Sequence, residues 1–174
     1  MKRRKIWTGA FLAALALPGV TLAQTCHSLT GSWKLNPEAS RLGAGLSFNP
    51  HLRIDAIDLS LELTADGLAQ TWRLKGPFVD EADSYLTPVT GGARPTNVHS
   101  ALNFVPVAVG GRWENCTLVE EDQTFLFGQS FWTKSTFIVS PDDRRLTIHQ
   151  VSVADLGDTE RDLVFDRLPA KDAR

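Results

Sequence analysis

Motifs that mark common reaction chemistries are missing from this sequence. It contains no G-x-S-x-G element, no phosphate-binding loop and no C-x-x-C-H sequence, which excludes the usual signatures of nucleophilic hydrolases, nucleotide-binding enzymes and haem proteins. Its four histidines, His27, His51, His99 and His149, share no metal-ligand spacing. We therefore expect no catalytic residue, no metal site and no cofactor.

Positive charge is also scarce outside the first few residues. The chain has 18 basic and 20 acidic side chains, and Lys2, Arg3, Arg4 and Lys5 account for four of the basic ones. The remainder is acidic and has no basic stripe, which argues against nucleic acid or an anionic membrane as a partner. Repeats, low-complexity linkers and amphipathic helices of useful length are absent as well.

The N-terminal segment has the three parts of a secretory signal peptide. The basic residues precede an apolar run at 6–17, and the small residues Thr21 and Ala23 stand at −3 and −1 of a cut before Gln24. The alternative is an uncleaved anchor, but the run is short for a membrane about 30 Å thick. We expect a signal peptide at 1–23, a single domain at 24–174, no integral membrane segment after processing, and a secreted or periplasmic location.

Only two cysteines are present, Cys26 and Cys116. A protein exported to an oxidising compartment is expected to join them as a disulfide. Such a bond would tie the mature N-terminus to a strand near Trp113. The alternative is a pair of buried thiols. A metal site or a thioredoxin-type centre would need closer spacing.

The dominant hydrophobic period is two, which indicates strands with one buried face. In "IDLSLELT" (57–64) the apolar residues alternate with polar ones, and the turn "ADG" (65–67) leads into "LAQTWRLK" (68–75). Further strands are expected in the C-terminal half, separated by the polar sequences "EEDQ" (120–123), "PDD" (141–143) and "ADLGD" (154–158). The Pro- and Gly-rich segment 76–111 predicts only short edge strands or a loop crossing.

Short strands joined by tight turns predict an all-β, antiparallel up-and-down β-barrel of about eight strands or more. In such a barrel the first strand, "SLTGSWKL" (28–35), pairs antiparallel with the last, "RDLVFDRL" (161–168). This pairing places Trp33 and Arg167 together inside one end, as a cation–π plug. Gly31 leaves room for a bulky neighbour.

The plug residues resemble a known family pattern. Gly31 and Trp33 on the first strand, with Arg167 ending the last, resemble the lipocalin and wider calycin families. The stretches "GSWKLNPEAS" (31–40), "PVTGG" (88–92), "SPDDRRLTI" (140–148) and "LVFDRL" (163–168) are more narrowly similar to uncharacterised secreted bacterial lipocalin-like proteins. The resemblance implies a small barrel that binds an apolar ligand, and it implies no catalytic residues.

A plug at one end makes the other end the candidate ligand site. Antiparallel geometry predicts that six residues line it: Trp72, Phe131, Thr133, Gln150, Ser152 and Arg161. Gln150 and Ser152 alternate with Val151 and Val153, so placing them inward is expected to need a β-bulge. This set would suit an amphipathic ligand with an anionic head on Arg161. The alternative is a barrel filled by its own side chains.

Three functions follow from these observations. The first is a secreted or periplasmic barrel that binds a small hydrophobic or amphipathic molecule without catalysis. The second is an envelope interaction or stress module that acts through its outer surface, with Trp132 as an exposed anchor. The third is a barrel isomerase or cyclase. That function needs an inward acid or base, and the sequence pattern places none inside the barrel.

Overall fold

The structure, a computed structural model, describes residues 26–42, 54–90, 92–96, 106–126, 129–154 and 157–169. The strands within these residues are β1 (Gly31–Leu35), β2 (Ala56–Leu63), β3 (Leu68–Gly76), β4 (Val79–Thr87), β5 (Arg94–Pro95), β6 (Ala108–Glu114), β7 (Thr117–Leu126), β8 (Gln129–Val139), β9 (Arg145–Ala154) and β10 (Thr159–Arg167). The predicted signal peptide lies outside the described residues. Within them, no helix is long and apolar enough to cross a membrane.

All ten strands belong to one antiparallel sheet in the order β4-β3-β2-β1-β10-β9-β8-β7-β6-β5. Every neighbour pair is consecutive in the chain except β1 and β10, whose register sets Trp33 opposite Arg167. The expected lipocalin-like up-and-down barrel is confirmed. Its edge strands are β4 on one side and β5 with β6 on the other. We call the line where these edges meet the seam, and there the Gly111 N–H donates to the Pro88 carbonyl at 2.8 Å.

The apolar residues that alternate along β2 and β3 pack into the core, as the sequence predicted. Ile57, Leu59 and Leu61 are buried, and so are Leu68 and Leu74 on the neighbouring strand. The turn between the strands is closed by a bond from the Thr64 N–H to the Gly67 carbonyl at 2.8 Å. One face of each strand therefore packs into the barrel, while the polar face remains outside.

Two predictions about the middle of the chain are wrong. The "EEDQ" sequence is not a turn, because β7 runs through it without interruption from Thr117 to Leu126. The turn instead lies at Asn115 and Cys116, where Asn115 adopts φ 57°. The segment expected to hold only short edge strands contains β4, a full strand of nine residues.

The plug closes one end of the barrel with Trp33 fully buried. The Arg167 guanidinium carbon lies 4.0 Å from the centroid of the Trp33 ring. Arg167 also donates to the carbonyls of Ser28, Thr30 and Asp143 at 2.6, 2.8 and 2.6 Å. At Gly31 a Cβ would lie 2.6 Å from Arg167 Nη1, so a side chain there would collide with the guanidinium.

The predicted disulfide is confirmed. Cys26 and Cys116 are joined by an S–S bond of 2.09 Å, with their Cα atoms 5.0 Å apart. The bond fastens the segment before β1 to the β6–β7 turn. That segment supplies the Ser28 and Thr30 carbonyls to Arg167, so the disulfide and the plug belong to the same end of the barrel.

Candidate functional site

The two ends of the barrel differ in how deeply their inward side chains are buried. Around the plug, Leu68, Leu118, Leu146 and Phe165 have no measurable exposure. Toward the opposite end, inward positions of six strands keep part of their surface in contact with solvent: Trp72, Tyr85, Thr124, Phe131, Thr133, Gln150, Ser152 and Arg161. The barrel interior is therefore solid at the plug and open to solvent at the far end.

Four of the six predicted site residues lie in two hydrogen-bonded groups on adjacent strands of the far wall. Arg161 Nε donates to Gln150 Oε1 at 2.6 Å, and Gln150 Nε2 donates to Ser135 Oγ at 2.9 Å. The hydroxyls of Thr133 and Ser152 lie 3.0 Å apart. Gln150 and Ser152 face inward in unbroken register with β10, so the expected β-bulge is wrong.

Trp72 and Phe131 lie apart from these groups. The Trp72 ring meets Phe165 edge-on, with centroids 5.9 Å apart, and its Nε1 donates to Gln70 Oε1 at 3.2 Å. Phe131 is half-buried and stands opposite Thr124 in the β7–β8 register. The six residues therefore share the open end without forming one connected cluster.

A polar cluster that the sequence did not reveal lies beside Trp72, with three members buried and Tyr85 partly exposed. Its members are Gln70, Tyr85, Thr87 and Glu120, and we call it the Glu120 cluster. Gln70 Nε2 donates to Thr87 Oγ1 at 2.8 Å and to Glu120 Oε2 at 2.5 Å. Thr87 also donates to the same carboxyl, and the Tyr85 hydroxyl lies 3.5 Å from Glu120 Oε1 and 3.3 Å from Gln70 Oε1.

Burial governs the ionisation of this cluster. It raises the pKa of Glu120 to about 7, although hydrogen bonds from Thr87 and Gln70 favour the carboxylate, and the charge of Asp122 raises this pKa further. Burial also raises the pKa of Tyr85 well above its ordinary value, so that hydroxyl remains protonated. Glu120 therefore exchanges its proton near neutral pH while its neighbours keep theirs.

Asp122 is the second inward carboxyl of β7. Burial raises its pKa to about 6, and this shift is opposed by a hydrogen bond from Thr124 Oγ1 at 3.2 Å and by the charge of Arg161. Burial in turn lowers the pKa of Arg161, which Asp122 partly offsets. Because β7 and β10 are not neighbours in the sheet, this attraction acts across the barrel interior.

The expectation that no acid faces inward is therefore wrong. The error follows from assigning "EEDQ" to a turn. As a strand, it continues the inward phase of Leu118 through Glu120, Asp122 and Thr124. That alternation from Leu118 was the signal available in the sequence, but it was obscured because the inward residues are polar.

Carboxyl groups outnumber cations on the inner wall that the structure describes. Glu81 and Asp83 share the inward face of β4, since the register sets them opposite Leu74 and Trp72. With Glu120 and Asp122 they make four inward acids, against two cations away from the plug: the half-buried Arg161 and the exposed Arg94, which the register sets opposite Val109. In the described part of the chain, no group of three or more His, Cys, Asp or Glu side chains is arranged to hold a metal ion.

No family model and no curated protein matches this sequence. Solved structures resemble it at low identity. A fatty acid binding protein of Schistosoma mansoni is 11% identical over 80% of this chain and 96% of its own, with a TM-score of 0.47. Secretory abundant heat soluble protein 4 of Ramazzottius varieornatus is 11% identical over 80% and 94%, with a TM-score of 0.48. Lipid binding protein 8 of Caenorhabditis elegans is 13% identical over 80% and 94%, with a TM-score of 0.45.

Proposed function

We propose that the protein is an exported barrel that binds a small apolar or amphipathic molecule at its open end and catalyses no reaction. The observation that carries this proposal is the gradient of burial, from fully buried apolar side chains at the plug to partly exposed inward ones at the far end. The open end sets the aromatic rings of Trp72 and Phe131 beside polar side chains, and small-molecule sites usually combine aromatic and apolar walls with polar groups that fix orientation.

The inner charges favour an uncharged or cationic head group over the anionic one that the sequence suggested. Arg161 already donates to Gln150, and its charge faces Asp122. An entering carboxylate would have to compete with Asp122 for Arg161 and would be repelled by the other inward acids. A neutral head meets neither effect, and a positively charged head is attracted by the inward acids, which outnumber Arg161 and Arg94.

Binding is tested with three ligands of one chain length: dodecylamine, dodecanol and dodecanoate. Each is titrated into the protein at pH 7.5 while tryptophan fluorescence is recorded. The amine and the alcohol are expected to shift the emission at lower concentrations than the carboxylate. Trp72→Phe should remove most of the signal, whereas Trp132→Phe, on the outer face, should retain it. If none of these ligands shifts the spectrum, ligand binding is contradicted.

Export is supported by the pattern of residues 1–23 and by the disulfide, which is typical of oxidising compartments. The full chain is expressed in a bacterium, and the mass of the recovered protein is measured. A chain beginning at Gln24 in the periplasm or medium is expected. An intact chain in the membrane fraction would instead indicate a retained anchor.

A second candidate function is a docking role for the outer wall. Trp132 is 56% exposed, and Val153, its partner in the β8–β9 register, is 51% exposed. Affinity capture from an envelope fraction, with Trp132→Ala as the control, separates this role from ligand binding. A partner that depends on Trp132, together with unresponsive ligand titrations, would favour the docking role.

An isomerase or cyclase role is not proposed, although Glu120 and Asp122 face inward. Both oxygens of Glu120 lie within reach of donors from its own barrel: Gln70, Thr87 and Tyr85. A general acid or base must reach the proton that it transfers. These contacts assign Glu120 to holding β7 against β3 and β4.

A further inference from the structure

The seam is the weakest line of the barrel. Among the described strands, β4 has a backbone ladder only with β3, and the seam is crossed by the Gly111–Pro88 backbone bond. The side chain of Glu120 crosses it as well. From β7 this carboxyl accepts hydrogen bonds from Gln70 on β3 and from Thr87 on β4.

The backbone bond and the Glu120 contacts lie at the same level of the seam. Gly111 stands opposite Glu120 in the β6–β7 register. A Cβ on Gly111 would lie 3.0 Å from Thr87 Cγ2, so β4 packs directly against β6 at this level. Loss of the Glu120 contacts would therefore remove the side-chain bonds next to the backbone bond.

No cation contacts Glu120 among the described residues. From β3 it meets Gln70, with Trp72 next to it, and from β4 it meets Thr87 and Tyr85, with Asp83 one position further toward the opening. Gly111 of β6 and Ser135 of β8 are its uncharged register partners. Asp122 adds a like charge on its own strand, and Arg161 of β10 acts on Asp122.

We propose that Glu120 is a proton-controlled latch on the seam, which holds β4 against β6 and β7 while its carboxyl is protonated and loosens when that carboxyl ionises. Loosening releases one proton to solvent and lets water reach the carboxylate. The burial that raises the pKa of Glu120 to about 7 is the same burial that opening relieves. Opening is therefore favoured above neutral pH. If the proposed function holds, the latch also regulates how fast a ligand exchanges.

The latch is tested without ligand by hydrogen exchange at the Gly111 amide between pH 5.5 and 8.5, corrected for the intrinsic pH dependence of exchange. Protection of this amide is expected to fall at least tenfold in the wild-type protein. It should stay constant in Glu120→Gln, which carries no ionisable group. Glu121→Gln, which alters the outward neighbour paired with Arg112, should behave like the wild type.

The amide of Ile148, deep in the β9–β10 ladder, provides an internal reference within the wild-type protein. Global unfolding also becomes easier as pH rises, so protection at Ile148 is expected to fall as well. A local opening is shown if Gly111 exchanges faster than Ile148 at every pH and responds less to low concentrations of urea, even if the Glu120 variant does not fold. Exchange at Gly111 that matches Ile148 in rate and in urea dependence, constant protection at Gly111, or an unchanged pH profile in a folded Glu120→Gln protein would each overturn the latch.

Ligand exchange is measured separately with N-phenyl-1-naphthylamine, a fluorescent probe that is uncharged over this pH range. Its dissociation rate is expected to increase from pH 5.5 to 8.5 in the wild type and to stay level in Glu120→Gln. A probe that binds but dissociates at the same rate at every pH contradicts the regulatory role. A probe that never binds counts against the proposed function, while amide exchange still decides whether the latch exists.

Discussion

The side chain of Arg167 links three separate parts of the chain. It stacks on Trp33 of β1, donates to carbonyls in the segment before β1, and reaches the Asp143 carbonyl between β8 and β9. The planar guanidinium can lie flat on the indole while its nitrogens reach three separate carbonyls, whereas the compact ammonium group of a lysine has no flat face and cannot spread its donors in this way. The indole also donates from Nε1 to the Leu29 carbonyl at 3.1 Å, so both plug residues order the same N-terminal segment.

Replacing both plug residues should cost less than the two single replacements added together. Trp33→Ala is expected to lower the unfolding free energy by about 3–5 kcal/mol, because it empties a fully buried site. When Trp33→Ala is combined with Arg167→Ala in a double-mutant cycle, the coupling energy between the two side chains should be about 1–2 kcal/mol. It is measured by urea unfolding of the wild type, the two single variants and the double variant. Arg167→Lys retains the charge but not the planar guanidinium, so its unfolding free energy should lie between those of the wild type and Arg167→Ala. Strict additivity would mean that the two side chains do not act together.

Glu120 should make the protein less stable as pH rises toward neutrality. Its pKa is near its ordinary value in the unfolded chain and about 7 in the folded protein, so the folded state binds the proton more tightly. The associated stability is complete below about pH 4.5 and is lost by about pH 7, a difference of about 3 kcal/mol. Urea unfolding from pH 4.5 to 8 should show this decline. Glu120→Gln should remove the part between about pH 6 and pH 7, whereas the raised pKa of Asp122 should keep part of the decline below about pH 6. A variant with the wild-type slope would assign the decline to other groups.

At the scale of single strands, prediction from sequence succeeded where the inner face is apolar. In β2 and β3, leucine and isoleucine alternate with polar residues, and this alternation predicted how the two strands pair. In β7 and β4 the inward positions hold Glu120 and Asp122, or Glu81 and Asp83, so hydrophobicity no longer marks the inner face. The Glu120 cluster and the inward acids of β4 were missed for the same reason, since a polar interior gives strands the composition of turns.

Gly111 supports a prediction about how the two edges of the sheet fit together. Gly111→Ala should destabilise the protein by about 1–3 kcal/mol, because the added Cβ would lie 3.0 Å from the Thr87 methyl group. Thr87→Ser removes that methyl group and keeps the hydroxyl that donates to Glu120. The double variant should therefore recover part of the loss in thermal unfolding. No recovery would indicate that the crowding comes from Leu118, the other side chain near this position.

Across the whole molecule, the sequence predicted the closed end better than the open one. The plug follows from pairing the two terminal strands, and the disulfide follows from the cysteine count and the signal pattern. The open end depends on which side chains meet across the interior, as Asp122 and Arg161 do, and no local period encodes such contacts. The Glu120 cluster likewise joins three strands that are distant in the chain.

Removing the disulfide should destabilise the closed end as well as the chain as a whole. Replacing both cysteines with serine is expected to lower the unfolding free energy by about 2–5 kcal/mol, since the bond spans a sequence separation of 90 residues. The segment that supplies acceptors to Arg167 would also lose its tether. Thermal unfolding, with exchange of the Trp33 indole proton, measures both effects. Wild-type protein treated with a reductant should show the same loss of stability as the double serine variant. If the exchange rate of the Trp33 indole proton is unchanged, the disulfide does not support the plug.

The pairing of β1 with β10 has a consequence for chain connectivity. It is the one pairing in the described sheet between strands that are not consecutive, and the Leu168 N–H donates to the Ser32 carbonyl at 2.8 Å beside it. In a circular permutant, a short linker would join the segment after β10 to the segment before β1, and the chain would be opened between β4 and β5. The strands of this permutant would follow the sheet from one edge to the other as one continuous meander. Every strand pair would then be a local hairpin. Because local contacts form sooner than distant ones, this rearranged chain should refold faster than the natural order while enclosing the same interior.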